Sequence, residues 1–591
     1  MTTGAAIQVQ SDVPARMRDG VVLRADLYRP AETGAYPVLL TRTPYGKTVN
    51  PLVVETAQTL AGRGFIVAVQ DVRGRFASDG VHRVLHDDLR DGYGSVFWAA
   101  ALPGSSGYVG MFGTSYPGYT QLWAAAQQPE PLRTIFPVMC GSSLYERWHD
   151  GGAFTLADTL IWQAGMAVEA AARLQIDVPE LRRYGELSQE RLAAFVAGDE
   201  EGVARSRDAV WQLAESWLRH LPLSTLPVIE GLAPEYFEWL AHPTYDAYWH
   251  GLDVRPSFPR WDFPCFSVGS WYDIDLQRTL DTFIALQTHS RTPQSRRAQK
   301  LLIGPWTHGQ FVSQVGALDF GPEATIDLTS LQARWFGYWL QGIDTGLLDE
   351  PPVHLFVMGT NRWRAEADWP LVRTEYVPYY FRSGGNANTW HGDGELSPVP
   401  PSDESPDAFV YDPNEPVPTL GGKTLGSALP PGPFDQREVE ERRDVLCYTT
   451  PPLERDLEVT GPLSVTLFAA SSAPDTDWTA KLVDVHPDGA AYNLQEGIIR
   501  ASHRVPGAAP SPIRPGEVYE YVIDLWATSN VFLAGHRIRV EISSSNFPHW
   551  DRNTNTGLPR ATADRVVAAQ QRNLHDAARP SHILLPIIPG D

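Results

Sequence analysis

The stretch VGMFGTSYPGYTQLWAAAQQ, residues 109–128, joins a short apolar run to a helical pattern through a turn centred on Ser115. The apolar run predicts a strand and the segment 119–128 predicts a helix, so Ser115 lies on a strand-to-helix turn. A serine on such a turn is typical of a nucleophile elbow, usually written G-x-S-x-G. Here Gly118 comes one place late and Pro117 stands where the second glycine is expected. The motif alone leaves two interpretations open, a catalytic nucleophile and an ordinary Gly/Ser turn.

The segments around this turn alternate between strand and helix patterns. A helix with acidic residues in its first turn is predicted over 85–102, ahead of the strand of the motif. Alternation of this kind predicts an α/β fold, with a parallel sheet covered by helices on both faces. The other predicted strands are 21–30, 36–45, 64–74 and 132–141.

The pattern changes twice further along the chain. Strand signals stop from about 142 to 240, where apolar residues recur at helical spacing and indicate a helical cap inserted into the α/β domain. After about 355 short strands separated by Pro-, Gly- and Asp-rich turns predict an all-β sandwich or jelly roll. The predicted division is an α/β domain in two parts, 1–141 and 241–354, a helical cap over 142–240, and a β jelly-roll domain over 355–591.

Length and composition limit the class of protein. The chain has 591 residues, of which 43% are hydrophobic and 20% charged, as in ordinary globular proteins of several domains. No apolar run approaches the roughly 18 residues of a membrane span, and no secretory signal is evident, so we expect a cytoplasmic protein without a membrane partner. A net charge of -22 argues against a nucleic-acid partner. The three cysteines are too few and too far apart to predict a disulfide framework or a zinc site.

A serine nucleophile needs a base and a carboxylate that orients the base. Asp273 ends the strand-like run 263–273, and His308 follows the strand-like run KLLIGPW, residues 300–306. Each residue alone could be an ordinary strand-end or loop residue. Because both follow later predicted strands in the order Ser, Asp, His, the sequence predicts Ser115, Asp273 and His308 as a catalytic triad.

Two further residues are candidates for an oxyanion hole. The backbone N–H of Tyr116, directly after the nucleophile, is free to donate at the start of a helix. The loop LLTRTPYGK, residues 39–47, carries Tyr45, whose phenol can donate a second hydrogen bond. A tyrosine with only a turn role is the alternative on the local sequence.

Several blocks of the chain resemble one family of serine hydrolases, which includes cocaine esterases, α-amino-acid ester hydrolases and X-Pro dipeptidyl-peptidases. GTSYPG resembles the family's elbow and RTPYGK its oxyanion loop; VGSWYD, GPWTHG, QDVRGRFASDG and the segment GHRIRVEISSSNFPHWDRNTNTG are also similar. The resemblance implies an α/β-hydrolase domain with a helical cap and a C-terminal jelly roll. It implies the same triad and oxyanion residues, no cofactor or metal, and hydrolysis of a small acyl ester or amide through an acyl-enzyme.

Three other functions stay open at this stage. An X-Pro dipeptidyl-peptidase ranks lower, because such enzymes usually carry extra N-terminal structure. An α-amino-acid ester hydrolase is a second alternative. A non-catalytic binding protein on a hydrolase fold is the least favoured, since it predicts a broken triad. The sequence also leaves open whether the chain forms a homo-oligomer.

The substrate pocket is less well defined by the sequence. Trp148, Phe154 and Trp162 near the start of the cap are candidates to line an acyl pocket, with packing inside the cap as the alternative. The resemblance also implies a carboxylate cluster for a substrate ammonium, matched by Asp275, two places after Asp273, and more loosely by Asp150. A helix cap is the alternative role for Asp275.

Overall fold

Strands and helices alternate at the start of the chain in a computed structural model, which describes residues 6–590. The predicted elements are present, and the structure adds two that the sequence patterns did not indicate, an edge strand and the helix after the third strand. That helix begins where Asn50 accepts a hydrogen bond from the N–H of Leu52 and Pro51 occupies the first turn. The elements are β1 (Ile7–Arg16), β2 (Val22–Pro30), β3 (Tyr36–Thr43), α1 (Pro51–Gly62), β4 (Ile66–Asp71), α2 (Asp88–Ala100), β5 (Ser105–Thr114), α3 (Tyr116–Ala126) and β6 (Leu132–Val138).

The segment that follows is helical, as predicted. It contains one two-stranded hairpin near its start, and helical turns continue to Arg260, beyond the predicted boundary at 240. The elements are α4 (Tyr145–Trp148), β7 (His149–Asp150), β8 (Ala153–Phe154), α5 (Leu156–Leu174), α6 (Pro179–Val196), α7 (Glu200–Leu218), α8 (Pro234–Ala241) and α9 (Ala247–His250).

Alternation then resumes and completes a ten-stranded sheet in the order β1-β2-β4-β3-β5-β6-β9-β10-β13-β14. The strands from β4 to β13 in this order run parallel, and the strands at both edges are antiparallel. The elements of this part are β9 (Phe266–Ser270), α10 (Leu276–His289), α11 (Pro293–Arg297), β10 (Lys300–Gly304), β11 (Gln314–Val315), β12 (Leu318–Asp319), α12 (Leu328–Gln341), β13 (Val353–Val357) and β14 (Arg362–Glu366).

The last two strands of this sheet correct one expectation. The predicted boundary between 354 and 355 divides the run that begins at Val353, but the whole of β13 belongs to the α/β sheet, where it pairs with β10. A five-residue run with four apolar residues fits a buried strand of either sheet, so the pattern does not indicate which sheet it joins. The exact domain boundaries otherwise stay predictions.

The rest of the chain is almost entirely β structure. Twelve strands form a second sheet, in which nearly all pairs are antiparallel. Together the two sheets confirm the predicted fold class, an α/β domain with a helical insertion and a C-terminal all-β domain. The elements are β15 (Glu375–Arg382), β16 (Glu395–Ser397), β17 (Asp407–Tyr411), α13 (Arg437–Glu440), β18 (Leu446–Thr449), β19 (Leu457–Ser471), β20 (Asp477–Val485), β21 (Ala491–Arg500), β22 (Tyr519–Phe532), β23 (Arg537–Ser543), β24 (Ala569–Asp576), β25 (Arg579–Pro580) and β26 (His582–Ile587).

The all-β part packs directly against the loop that follows β9. Trp271 and Tyr272 of this loop are fully buried in a core shared with the second sheet. Gln495 donates a hydrogen bond to the carbonyl of Trp271 at 2.8 Å, and the Tyr272 hydroxyl donates to the carbonyl of Asn493 at 3.2 Å. The second domain therefore helps to hold the residue that follows, Asp273. Across residues 6–590, none of the helices is both long enough and apolar enough to cross a bilayer.

Candidate active site

Four predicted site residues follow parallel strands of the first sheet. Tyr45 follows β3, Ser115 follows β5, Asp273 follows β9 and His308 follows β10. The strands β3, β5, β6, β9 and β10 are neighbours in this order, and the carboxyl ends of parallel strands meet at one edge of a sheet. The topology thus brings these four residues to the edge where α/β folds bind their ligands.

Ser115 has a strained backbone, as a nucleophile elbow requires. Its φ is 64° and its ψ is -126°, a conformation that non-glycine residues rarely adopt. Its N–H donates to the carbonyl of Val138 at 2.9 Å, and its carbonyl accepts from the N–H groups of Gly118 and Tyr119. The turn is therefore fixed from both sides.

The two glycines of the motif make this turn sterically possible. A Cβ on Gly113 would lie 2.4 Å from the Cβ of Pro117, and one on Gly118 would lie 2.6 Å from the Sγ of Cys140. The late glycine at 118 is thus needed for the close approach of α3 to the chain after β6, and Pro117 fits because the helix already begins at Tyr116.

The backbone N–H of Tyr116 is free to donate, while hydrogen bonds fix its side chain. Among residues 6–590 its N–H has no hydrogen-bond acceptor, as expected in the first turn of a helix. Its side-chain hydroxyl donates to Asp88 at 3.0 Å and accepts from the N–H of Leu85 at 3.1 Å. Asp88 is itself paired with Arg42 at 2.7 Å. This buried network fixes the residue that supplies the predicted oxyanion donor.

His308 and Asp273 form a close pair. Nδ1 of His308 lies 2.6 Å from Oδ2 of Asp273, which is fully buried. The other oxygen of Asp273 accepts from the N–H of Asp275 at 2.8 Å, so the carboxylate cannot rotate freely. Nε2 of His308 is buried and has no hydrogen-bond partner within the described part of the chain, Ser115 included. The structure thus pairs the predicted base with the predicted acid, and within residues 6–590 no hydrogen bond joins His308 to Ser115.

The charge of Asp273 sets the acid–base behaviour of His308. Burial alone would lower the pKa of the imidazole, but the charge and hydrogen bond of Asp273, aided by Asp275, raise the pKa above its ordinary value of 6.5.

We therefore expect kcat/KM for a neutral ester to fall as the pH drops through a midpoint above about 6.5, because protonated His308 cannot accept the serine proton. Asp275→Asn should move this midpoint to lower pH, since one of the charges that raise the His308 pKa is removed. The check is a pH profile of kcat/KM for both proteins. A wild-type midpoint well below 6.5, or a shift to higher pH in the variant, would contradict the role of His308 as base.

The Tyr45 hydroxyl lies between the cap and the elbow. Nε1 of Trp162, on α5, donates a hydrogen bond to the Tyr45 oxygen at 3.0 Å, and both Tyr45 and Ser115 line the cavity at the elbow. Although 36% of the residue is exposed, burial of the phenol oxygen raises the pKa of Tyr45 above its ordinary value, and Trp162 and Ser115 act to lower it. The phenol therefore keeps its proton at neutral pH and can act as a donor.

A narrow cavity opens at the elbow. Five other predicted site residues line it together with Ser115, namely Tyr45, Tyr116, Trp148, Trp162 and Asp275. Sequence reasoning missed the remaining lining residues, which are Val84, Leu85, Tyr119, Leu144, Arg147, Ile274 and Leu425. Ile274 could have been predicted as a lining residue from the sequence, because it stands between Asp273 and Asp275.

The cap forms an aromatic wall along this cavity. Trp162 stacks on Trp148 at a centroid distance of 5.7 Å and on Tyr116 at 6.4 Å. Trp239, on α8, stacks on Trp148 at 4.4 Å and supports the wall from behind. The predicted pocket role of Trp148 and Trp162 therefore agrees with their position.

Two of the predicted pocket residues lie elsewhere. Phe154 is fully buried and packs on Tyr236 inside the cap. Asp150 belongs to the β7–β8 hairpin, where burial raises its pKa to about 6 against the opposing charges of Arg278 and Lys423. Neither residue lines the cavity. The prediction failed because the hairpin turns this part of the cap toward the all-β domain, which the local pattern does not indicate.

Asp275 lines the cavity but is already engaged. Its Oδ1 accepts a hydrogen bond from the Tyr119 hydroxyl at 2.8 Å and lies 3.6 Å from Nε of Arg147. Its side chain makes no capping bond to α10, so the alternative role as a helix cap is not realised. A cationic neighbour makes this carboxylate a poor site for a second cation.

Two groups within residues 6–590 bring three metal-ligating side chains within 4.8 Å of one another. One is Asp273, Asp275 and His308, in which Asp273 pairs with His308 and accepts from the backbone N–H of Asp275, while the Asp275 carboxylate accepts from Tyr119. The other is Asp484, His486 and His536 in the all-β domain, where His536 pairs with Asp484 at 2.8 Å. The acid–base pairing accounts for the first group without a metal.

Comparison with known proteins identifies close relatives. The family model of X-Pro dipeptidyl-peptidases (S15 family) matches residues 19–310, and that of the X-Pro dipeptidyl-peptidase C-terminal non-catalytic domain matches residues 345–584. The chain is 38% identical over 592 residues to cocaine esterase from Rhodococcus sp. (strain MB1 Bresler), covering 98% of both chains.

Two solved structures resemble the whole chain. An aminopeptidase from a marine sediment archaeon, Thaumarchaeota archaeon, has a TM-score of 0.77 and 26% identity, covering 100% of this chain and 98% of that one. An α-amino acid ester hydrolase has a TM-score of 0.77 and 24% identity, covering 99% and 97%. The latter likeness supports the fold.

Proposed function

The chain belongs to the S15 family of X-Pro dipeptidyl-peptidases and is a serine hydrolase, and we propose that it acts as an esterase on small acyl esters. The proposal is carried by one observation: the 2.6 Å bond between His308 and Asp273 at the same sheet edge as the strained Ser115. The similarity to cocaine esterase over the full length supports an ester as the substrate. A cytoplasmic location is also proposed, supported by three buried cysteines that form no disulfide.

The first chemical step uses the groups already described. Ser115 Oγ attacks the ester carbonyl carbon, and His308 Nε2 takes the hydroxyl proton. Asp273 accepts a hydrogen bond from the Nδ1–H of His308, which leaves Nε2 as the basic nitrogen and stabilises the imidazolium once it forms. The Tyr45 hydroxyl and the Tyr116 N–H donate to the oxygen that becomes negatively charged.

The tetrahedral intermediate then collapses. His308 Nε2 returns the proton to the leaving alcohol oxygen, the C–O bond breaks, and the acyl group stays on Ser115. Water attacks this acyl-enzyme by the same route, with His308 first taking a proton from water and then giving it to Ser115 Oγ. The free acid leaves and the enzyme is restored.

The surroundings of Asp275 favour an ester without an α-amine over an aminoacyl substrate. The carboxylate is bonded to Tyr119 and lies beside Arg147, whose positive charge would repel a substrate ammonium. We expect the kcat/KM of alanine benzyl ester to be no higher than that of benzyl propanoate, where an ammonium site would give a preference of about tenfold or more.

The experiment compares these two esters with Ala-Pro 4-nitroanilide on the wild-type protein. Both esters are expected to be cleaved, and the anilide to be cleaved far more slowly. A clear preference for the amino ester would contradict this part of the proposal and favour an α-amino-acid ester hydrolase. Efficient release of nitroaniline would favour a dipeptidyl-peptidase.

A further inference from the structure

Arg147 differs from every other buried arginine in the described residues. Its side chain is 5% exposed, yet its guanidinium donates no hydrogen bond to any residue in the range 6–590. A buried guanidinium normally satisfies most of its five N–H groups, because leaving a charged donor unpaired is costly. The other six buried arginines all donate side-chain hydrogen bonds: Arg42, Arg73, Arg75, Arg278, Arg500 and Arg539.

The contacts of Arg147 leave the N–H donors of its guanidinium without hydrogen-bond acceptors. Its nearest acidic atom is Oδ1 of Asp275, 3.6 Å from Nε, which is too long for a hydrogen bond. The same oxygen already accepts from the Tyr119 hydroxyl. The guanidinium carbon lies 4.3 Å from the ring centroid of Trp148, so one face is covered by an aromatic ring. Asp275 and Trp148 thus fix the position of the guanidinium without satisfying its donors.

This guanidinium and the candidate nucleophile line one cavity. Arg147 lines the same cavity as Ser115, and its charge acts on both the Tyr45 hydroxyl and the His308 imidazole. Most of the other lining groups are apolar or aromatic, including Leu144, Ile274 and Leu425. A charge in such surroundings interacts strongly with an anionic ligand, because little water competes for its donors.

We propose that Arg147 binds a carboxylate of the substrate, so that the enzyme prefers esters carrying a free carboxylate near the scissile bond. A guanidinium matches a carboxylate with two parallel N–H donors, and five donors allow Arg147 to keep Asp275 as a neighbour at the same time. This inference rests on the proposed esterase function, since it concerns the substrate of that same site.

The test compares each carboxylate ester with its own methyl ester, which has nearly the same shape and no charge. One pair, mono-4-nitrophenyl adipate and its methyl ester, carries the group on the acyl side. The other pair, 4-acetoxybenzoate and its methyl ester, carries it on the leaving group. In at least one pair kcat/KM of the wild type should favour the carboxylate by about tenfold or more, and the responding pair locates the guanidinium relative to the scissile bond.

Variants separate recognition from a structural role. Arg147→Gln should abolish the preference, and Arg147→Lys should keep only part of it, because an ammonium retains the charge but not the two parallel donors. Asp275→Asn should increase the preference by removing the competing negative charge. Arg75→Gln is the matched control: Arg75 is also buried and its charge also acts on Tyr45, but it does not line the cavity. Its carboxylate-to-methyl-ester ratio should match the wild type.

Equal wild-type rates within both pairs would overturn the inference, and so would an Arg147→Gln enzyme that slows both members of a pair equally. Neither result would contradict the proposed esterase function, provided that the neutral esters are still cleaved. Failure to cleave any ester and failure to react with a fluorophosphonate would instead reject the esterase function itself.

Discussion

Ser115→Ala is expected to lower kcat by about 10⁴-fold or more and to abolish covalent labelling by a fluorophosphonate probe. The strained turn holds this hydroxyl at the carboxyl edge of the sheet, and without it no acyl-enzyme can form. The residual rate would come from the oxyanion donors and substrate binding alone. Ester turnover and mass spectrometry of the labelled peptide provide the two measurements.

Two companion variants show that any loss is chemical. Ser267→Ala removes a buried hydroxyl from β9, away from the sheet edge, and should retain both labelling and turnover. Ser115→Gly should be as inactive as Ser115→Ala but melt at a higher temperature, because glycine adopts a φ of 64° without strain. A folded Ser115→Ala protein with undiminished turnover would reject Ser115 as the nucleophile.

The candidate triad could be predicted from the sequence because its three residues share one topological property. Ser115, Asp273 and His308 each follow a buried strand, and parallel strands end at a common edge whatever lies between them in sequence. The 157 residues between Ser115 and Asp273, which include the whole cap, therefore did not obscure their relation. Their catalytic roles stay predictions until the variants are measured.

Features that depend on packing between segments could not be predicted in this way. Arg147 stands in the four-residue helix α4, which is too short to show a periodic pattern, and its unpaired guanidinium is evident only once Asp275 and Trp148 are in place. Asp150 failed as a pocket residue for the related reason that the hairpin of β7 and β8 contacts the second domain, where the backbone N–H of Arg500 donates to the carbonyl of Gly151. In both cases the neighbours that decide the role come from distant parts of the chain.

Tyr45→Phe is expected to lower kcat by about 10²–10³-fold, or about 3–4 kcal/mol of transition-state stabilisation, with little change in KM. Because the Tyr45 oxygen already accepts a hydrogen bond from Trp162, its own proton is the part left to donate toward the elbow. The variant removes only the hydroxyl, so the ring contact with Tyr116, at 6.4 Å between centroids, can persist. The check is kcat, KM and the melting temperature measured on the same protein.

The hydrogen bond from Trp162 to Tyr45 provides a second test of the Tyr45 hydroxyl as an oxyanion donor. Trp162→Phe should lower kcat by about tenfold for every ester, because the phenol loses the donor that orients it and its proton can then turn away from the oxyanion. If the tryptophan acts through Tyr45, the double variant should be no slower than Tyr45→Phe alone, since the hydroxyl that Trp162 orients is already gone. Simple addition of the two effects would mean that Trp162 contacts the substrate directly.

A Tyr45→Phe protein that keeps nearly full kcat but melts at a lower temperature would mean that the phenol only supports the fold. The oxyanion would then depend on the N–H of Tyr116 and a donor from elsewhere in the cavity, because the backbone N–H of Tyr116 alone does not provide the two donors expected of an oxyanion hole.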